Sequence, residues 1–247
     1  MELPEGRPEE GPQRGCMPLV DLSYGGISAS SMGVLIARRP DIPVPEDDIE
    51  EIEIPGRDGA LHISQERKKP IEIKVEMGFR GRESWAGRAG RIKEWLDVRG
   101  EKLIFSDDLD CFYHVYHVKL GDLERITRRL GMFEAEFVCY PYRYLTEGEN
   151  WTEEKLFYNR GAPAHPVYFI TGEGMCTLTV NGKTLTANVG QNITIDTERM
   201  IAYREDGTIM NTSVTGDYEN AYLPHGKNEV FVSKGFSLKL QPRWRCL

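Results

Sequence analysis

The sequence predicts a mainly β protein, with an N-terminal β-sheet or barrel-like domain carrying one packed helix and a C-terminal antiparallel β-sandwich. Apolar residues alternate with mostly charged residues at 71–77 and 133–139, a period of two that is typical of strands with one buried face. Between these segments, apolar residues recur at helical spacing. The second half consists of short apolar runs separated by turn residues, which indicates a sandwich of short strands.

The chain begins with a segment that has little to bury. Residues 1–18 are rich in Glu, Pro and Gly, so we expect a flexible N-terminal arm there. The first domain is assigned to residues 19–145, and its first strand is expected at 33–37. Pro40 ends this strand because proline cannot donate a hydrogen bond to a ladder. The acidic run at 46–51 is interpreted as a connection with a solvated face.

The stretch at 52–77 is expected to contain two half-buried strands joined by roughly sixteen residues. Ile52 and Ile54 supply the apolar positions of the first strand. The connection begins with a constrained reversal, because proline fixes its own φ and each glycine permits a positive φ. We expect this loop at a subunit interface; the alternative is an ordinary polar hairpin loop. The candidate residues are Pro55, Gly56, Arg57, Asp58 and Gly59.

A helix is predicted at about residues 83–98. Its apolar stripe is formed by four residues, with Trp95 at its border, and the stripe comprises Trp85, Ala89, Ile92 and Leu96. Ser84 is a candidate N-cap, and Gly100 stands where a helix commonly ends. Strands are then expected at 103–105, 112–120 and 132–139.

The polar segment 146–159 is predicted to be a linker, and the C-terminal sandwich is assigned to residues 160–247. Asn181 and Gly182 stand between two apolar runs. A two-residue Asn-Gly connection is the strongest local signal for a β-hairpin, because both residues tolerate a positive φ.

Composition excludes several classes of protein. The chain has 247 residues and a formal charge of −8, which argues against nonspecific binding to nucleic acid. No run approaches the roughly eighteen apolar residues of a membrane span, and residues 1–18 do not resemble a secretory signal. The five cysteines are scattered without CxxC spacing, so neither a zinc site nor a disulfide framework is indicated. Free thiols and synthesis in the cytoplasm are expected.

Motifs for catalysis or cofactor binding are not found in the sequence, so we expect neither an enzyme nor a bound cofactor or metal. His114 and His117 are three residues apart, and on a regular strand they would point to opposite faces. Three aspartates, Asp107, Asp108 and Asp110, resemble the start of a calcium loop but lack its glycine and distal glutamate, so an Asp-rich turn is expected.

Aromatic residues of the second half suggest an alternative function, which is carbohydrate binding by a β-sandwich module. Aromatic rings can stack on sugars, although most such residues pack in a core or at an edge. The candidates are Trp151, Tyr203, Tyr218 and Tyr222, with Tyr158 and Trp244 as further members of the set. A glycan-cleaving enzyme is a third hypothesis, but no pair of carboxylates is singled out for it.

The order of several motifs resembles the distal tail protein (Dit) family of long-tailed bacteriophages and prophages. The resemblance covers about residues 19–247. It rests on an early Tyr24-Gly25, the loop at 55–59, the long alternating strand, the single helix and a β-rich half that ends in Pro-Arg-Trp at 242–244. The segment 223–228 also resembles the family's Leu-x-Pro-Gly-x-Asn turn, except that His225 separates the proline from the glycine.

This resemblance implies a structural protein of the virion tail tip, made in the cytoplasm of the bacterial host. It implies a hexameric hub ring in which the first domains surround a channel for DNA and galectin-like second domains project outward. The ring would join the tail tube protein to tail-associated lysin, tail fibre, receptor-binding or baseplate proteins. It would neither insert into a membrane nor bind nucleic acid specifically.

The excess of acidic residues suggests how DNA passes through such a ring without being held. A basic lining would bind the phosphates of DNA. We therefore expect Glu72, Lys74 and Glu76, with the acidic segment 46–53, to face the channel. The alternative is that these charges only keep the outer surface soluble.

Overall fold

The computed structural model describes residues 20–56, 58–80 and 83–247. The predicted N-terminal arm, Cys16 and Arg57 lie outside the described residues. Where it is described, the chain is built mainly from antiparallel strands arranged in two sheets and a separate two-stranded ribbon, with one α-helix. The predicted mainly β class is therefore confirmed.

The strands of the first half follow one another with few interruptions. A short 3-10 helix, Ser30–Met32, lies between the second and third strands. In chain order, the strands are β1 (Leu22–Tyr24), β2 (Ile27–Ser28), β3 (Val34–Ile36), β4 (Asp47–Ile52), β5 (Leu61–Lys68), β6 (Ile71–Arg80), β7 (Lys102–Phe105), β8 (Cys111–Leu120), β9 (Glu124–Arg125) and β10 (Leu130–Leu145).

The first sheet is organised around β10. Its main order is β2-β1-β7-β8-β10-β6-β3, and β9 also pairs with β10. Ten consecutive residues of β10 pair with β6, from Leu130 opposite Arg80 to Cys139 opposite Ile71. The inward residues of β6 are almost completely buried, as their alternation predicts, and they are Ile71, Ile73, Val75, Met77 and Phe79.

Helix α1 (Trp85–Leu96) covers the apolar face of this sheet. The hydroxyl of Ser84 accepts a hydrogen bond from the backbone N–H of Gly87 at 3.3 Å, which confirms the predicted N-cap. Trp95 is buried rather than bordering the stripe, and its indole N–H donates to the carbonyl of Tyr24 at 3.0 Å. Trp85 is only half-buried. The helix ends at Leu96, before Gly100, which adopts φ 73° in the following turn.

The structure corrects the interpretation of residues 46–70. The acidic run forms strand β4, and the predicted connection contains β5, with which β4 pairs to give a hairpin. Ile52 and Ile54 were expected on a half-buried strand, yet they are 38% and 39% exposed. The physical reason is that, within the described residues, this two-stranded ribbon pairs with no further strand and its apolar residues belong to neither core. Period-two alternation predicts which residues share a face, not whether that face is covered.

The second half begins with the 3-10 helix Thr146–Glu149, and two further 3-10 helices, Asn211–Ser213 and Tyr218–Ala221, follow later. Its strands, in chain order, are β11 (Leu156–Asn159), β12 (Val167–Val180), β13 (Lys183–Asp196), β14 (Ile201–Tyr203), β15 (Val214–Thr215), β16 (Gly226–Val232), β17 (Ser237–Gln241) and β18 (Arg245–Cys246).

Strands β12 and β13 form a long hairpin at the centre of the second sheet. All fourteen residues of β12 pair with β13, and the connection is Asn181-Gly182 with φ 50° and 82°. This confirms the predicted turn. One end of β12 also pairs with β17, and the other end pairs with β16. The curled sheet thereby encloses a second apolar core, consistent with the predicted antiparallel sandwich.

The segment predicted to be a linker contributes to the second sheet. Its residues 156–159 form β11, which pairs with β16. The amide of Asn159 is buried and donates to the carbonyl oxygens of Ala162 and Leu223 at 2.9 Å each. Strand β11 was not predicted from the sequence because the residues that flank it are polar. The division of the chain into 19–145 and 160–247 stays a prediction.

The last residues of the chain connect the two halves. Strand β18 returns to the first sheet and pairs with β10. The guanidinium of Arg243 binds both carboxylate oxygens of Asp196, at 2.9 and 3.1 Å, and the Asp196 side chain is only 1% exposed. Arg245 donates to the carbonyl of Pro163 at 2.6 Å and stacks over the ring of Tyr142 at 4.1 Å. The C-terminal segment therefore fastens the second half to the first.

We expect Arg243→Ala to lower the free energy of unfolding by about 2–4 kcal/mol, because it leaves the buried Asp196 carboxylate without its bidentate partner. Urea unfolding at neutral pH measures the effect. Arg199→Ala is the matched control, since Arg199 reaches the same carboxylate only at 4.0 Å and is 72% exposed. Its loss should cost less than about 0.5 kcal/mol. Equal effects of the two variants would contradict the assignment.

Candidate functional site

The hairpin formed by β4 and β5 exposes several large apolar residues. We call β4, β5 and their connection, residues 47–68, the acidic hairpin. Residues directly opposite each other in its ladder share a face, so Ile52 lies beside Leu61. Three apolar residues of this face are 38–39% exposed, and they are Ile52, Leu61 and Ile63. Glu50, opposite Ile63, lies on the same face. An isolated two-stranded ribbon is marginally stable in water, so exposed apolar residues on one of its faces favour contact with another surface.

The tip of the acidic hairpin carries the loop singled out from the sequence. Pro55, Gly56, Asp58 and Gly59 are exposed, and both glycines adopt positive φ, 82° and 79°. A side chain at either glycine would be strained by this backbone conformation. Arg57 lies outside the described residues. A contact of this loop with a neighbouring subunit stays a prediction.

The outward face of the first sheet carries a ladder of charges. Glu72, Lys74 and Glu76 are exposed on β6, on the face opposite α1. The ammonium of Lys119 lies between Glu72 and Glu136, at 2.7 and 2.6 Å from their carboxylate oxygens. Hydrogen bonding from Lys119 holds the pKa of Glu136 below its usual range. Ion pairs therefore neutralise part of this face, and its orientation toward a channel stays a prediction.

A basic turn was not selected by sequence reasoning. We define the basic turn as residues 124–130, which connect β9 to β10 at the end of the first sheet. Arg125, Arg128 and Arg129 are exposed there, and Ile126 is 50% exposed. The signal that could have found it is a cluster of three arginines in seven residues of an otherwise acidic chain.

The four proposed glycan-stacking residues lie on different elements. Trp151 is 48% exposed and meets Phe169 edge-on with ring centroids 6.1 Å apart. Tyr203 lies in β14, and Tyr218 packs against the second core. Tyr222 stacks on His165 with centroids 3.9 Å apart. Packing inside the protein accounts for much of their surface, and glycan binding stays a hypothesis.

The structure corrects the reasoning about His114 and His117. A β-bulge in β8 places Val115 opposite Cys139 but His117 opposite Val138. The extra residue, Tyr116, restores both histidines to the same outward face, because Val115 and Val118 both pack toward the core. Within the described residues, however, no three His, Cys, Asp or Glu side chains are grouped so that they could hold a metal ion.

The Asp-rich segment is a turn held by two arginines. Arg39 binds Asp107 at 2.9 Å, and Arg143 binds Asp108 at 3.1 Å. Asp110 lies in the same turn, and its carbonyl accepts a hydrogen bond from Thr146. These ion pairs therefore occupy two of the three carboxylates that a calcium-binding loop would need as ligands.

A cavity of about 290 Å³ lies where the two halves meet. It is lined by aromatic residues of the first sheet and by charged residues of the second half, including Phe112, His114, Tyr144, Glu198 and Arg243. Burial lowers the pKa of His114 to about 4, and Lys102 adds to this effect. Burial also lowers the pKa of His165 to about 3, and Arg245 reinforces the shift. Both imidazoles are therefore neutral at physiological pH.

None of the helices in the described part of the chain combines the length and the apolar character needed to cross a membrane.

Comparison with known proteins reveals similarity at the level of structure. No protein-family model matches the sequence, and no curated protein matches it either. The structure is similar to that of SPP1 Dit (gp 19.1), described as a paradigm of the hub adsorption apparatus in phages that infect Gram-positive bacteria. The TM-score is 0.64 and the identity 14%, over 90% of this chain and 98% of that one. The expected resemblance is thereby confirmed at the level of the fold.

The two neutral histidines predict an acid dependence of stability. Their folded pKa values lie below the unfolded value of about 6.5, so the unfolded chain takes up protons first as the pH falls. Their contribution is complete well above pH 6.5 and is lost as the pH falls toward 4 for His114 and toward 3 for His165. We expect the double variant His114→Gln and His165→Gln to lose less stability between pH 7.5 and 5.0, by about 1 kcal/mol per histidine after allowance for solvent screening. Urea unfolding at both pH values measures this, and equal losses in parent and variant would refute it.

Proposed function

We propose that this chain is a structural component of a phage or prophage tail hub. The observation that carries the proposal is the similarity in fold to SPP1 Dit, which extends over nearly the whole of both chains. The two-part architecture, with a helix-covered sheet followed by a sandwich, agrees with this role. The function is assembly, and the proposal includes no reaction and no cofactor.

The proposed assembly is a hexameric ring that joins the tail tube protein to the tail-associated lysin, fibre or baseplate proteins. A closed ring requires a heterologous contact, in which one surface of a subunit meets a different surface of the next. The acidic hairpin supports such a contact because its apolar face is not covered within the described chain. In this arrangement the first sheets surround the channel and the galectin-like sandwiches project outward, at the virion tail tip.

The charge of the chain supports passage of DNA rather than binding. Each chain carries a formal charge of −8, so six copies carry about −48. The outward face of the first sheet combines four glutamates with two lysines, Lys74 and Lys119, which form ion pairs with only two of them. The four are Glu72, Glu76, Glu134 and Glu136. We propose that this face lines the channel, because negative charge repels the phosphates of DNA.

Replacing apolar residues of the acidic hairpin should weaken assembly without unfolding the subunit. We expect Ile52→Asn with Ile63→Asn to reduce the ring fraction at micromolar concentration by on the order of tenfold or more, because each residue loses apolar area that assembly would bury. Native mass measurement gives the ring fraction, and circular dichroism checks the fold.

The matched control is Met175→Asn, which polarises a strand residue that is 67% exposed in the second half. It should leave assembly unchanged. A hairpin variant that assembles as well as the parent would remove the hairpin from the interface.

The assembled ring should not retain duplex DNA. At ~0.15 M salt we expect no retention in a gel-shift or filter assay, since a lumen with excess negative charge repels DNA. Retention that is lost at higher salt would demonstrate a basic lumen and contradict the proposed lining. A basic protein of similar size serves as the positive control.

A further inference from the structure

We propose that the basic turn of one copy receives the acidic hairpin of the adjacent copy. This inference rests on the proposed function, because it names the partner surface of the hairpin within the ring. It assigns a role to residues 124–130.

The basic turn is built to present its side chains. The hydroxyl of Thr127 accepts hydrogen bonds from the backbone N–H groups of Arg129 and Leu130, at 3.2 and 3.1 Å. Such side-chain-to-backbone bonds fix the turn locally. Within the described residues, none of Arg125, Arg128 and Arg129 forms a salt bridge, whereas seven of the other thirteen arginines do. These guanidinium groups therefore remain available to an acidic partner.

An exposed apolar row lies next to the turn. Met132 of β10 and Leu35 of β3 flank Gly78 of β6 in the same register. Met132 is 41% exposed and Leu35 is 51% exposed. Met132 pairs with Glu124, and the exposed Ile126 follows two residues later, so this end of the sheet carries exposed apolar residues beside the arginines of the basic turn. Protein interfaces commonly combine an apolar centre with a charged rim.

The acidic hairpin has the complementary composition. Residues 47–68 contain seven acidic and three basic residues, for a formal charge of −4, whereas residues 124–130 contain three arginines and one glutamate. The hairpin also exposes Ile52, Leu61 and Ile63 on one face. Apolar surface and opposite charge therefore occur together on both elements. Opposite potentials steer association and exclude wrong pairings.

The two elements lie at opposite ends of the same strand. The hairpin leads into β6 at Ile71, which pairs with Cys139, and β6 ends at Arg80, which pairs with Leu130 beside the basic turn. Ten residues of strand span roughly 30 Å, at about 3.3 Å per residue. One copy thus presents the hairpin at one end of its first sheet and the turn at the other. This separation suits a head-to-tail contact, which closes into a ring when its rotation allows.

Charge reversal tests the pairing. The turn variant carries Arg128→Glu and Arg129→Glu, and the hairpin variant carries Glu53→Lys and Asp58→Lys. Each should lower the ring fraction on the order of tenfold or more, because like charges then face each other. All four substitutions in one chain should restore assembly. The matched control, Lys183→Glu with Lys234→Glu, reverses two exposed lysines of the second half and should change nothing.

Mixing the two single-site variants in equal amounts separates contacts between copies from contacts within one copy. The turn variant has an acidic turn and an acidic hairpin, whereas the hairpin variant has a basic turn and a hairpin tip, residues 53–58, whose formal charge changes from −1 to +3. Alternating copies would therefore satisfy every contact of an even-numbered ring. Native mass measurement should show rings that contain both variants in equal number. Rescue by the four-substitution chain but not by mixing would place the contact within one copy and overturn the inference.

The outcomes of these experiments distinguish a failure of this inference from a failure of the proposed function on which it rests. If the parent chain forms rings and both variants form them equally well, the hairpin binds elsewhere and only the inference fails. If the parent forms no ring at micromolar concentration and none in the presence of tail tube protein, the proposed function fails and the inference fails with it.

Discussion

The pairing of β10 with its neighbours is the constraint on which the rest of the structure depends. This sixteen-residue strand pairs with β6 on one side and with β8 and β9 on the other, and β18 joins it near its end. The inward residues of β10 complete the core beneath α1, and Glu134 and Glu136 lie on its outward face. Because ladder hydrogen bonds fix register, a slip of one residue would exchange these two faces. The position of the acidic hairpin, the basic turn and the charged face all follow from this one register.

In the described part of the chain, the acidic hairpin pairs with no third strand, and its apolar residues stay partly exposed. Its ladder satisfies backbone hydrogen bonds between β4 and β5, and ion pairs such as Lys68 with Asp47 tie the strands together. Ribbons of this kind need a third strand, a helix or a partner to bury their apolar face. The exposed Ile52, Leu61 and Ile63 therefore impose a cost on the isolated subunit that assembly would remove. This makes the hairpin a reasonable element for contacts between subunits.

The junction between the halves is stabilised differently, by buried polar groups. Arg243 is held by Asp196 and Glu198, and the hydroxyl of Tyr144 donates to Glu198 at 2.9 Å. Arg245 donates to the neutral His165, which raises the cost of protonating that imidazole. Such networks favour a single geometry, because a buried polar or charged group that lost its partner would destabilise the folded state. A fastened junction would hold projecting sandwiches at a defined angle to a ring, which suits the proposed assembly role.

The sequence by itself determined the mainly β class, the inward faces of β6 and β10, the cap of α1 and the Asn181-Gly182 turn. These features depend on neighbours within a few residues, so period and turn chemistry suffice to predict them. Tertiary structure alone decided that Ile52 is exposed, that a bulge at Tyr116 turns His114 and His117 to one face, and that Arg245 returns to pair with Tyr144. It also decided that the acidic hairpin and the basic turn stand at opposite ends of one sheet. These features depend on which distant segments pair and on whether anything covers a face, and local pattern contains no information about either.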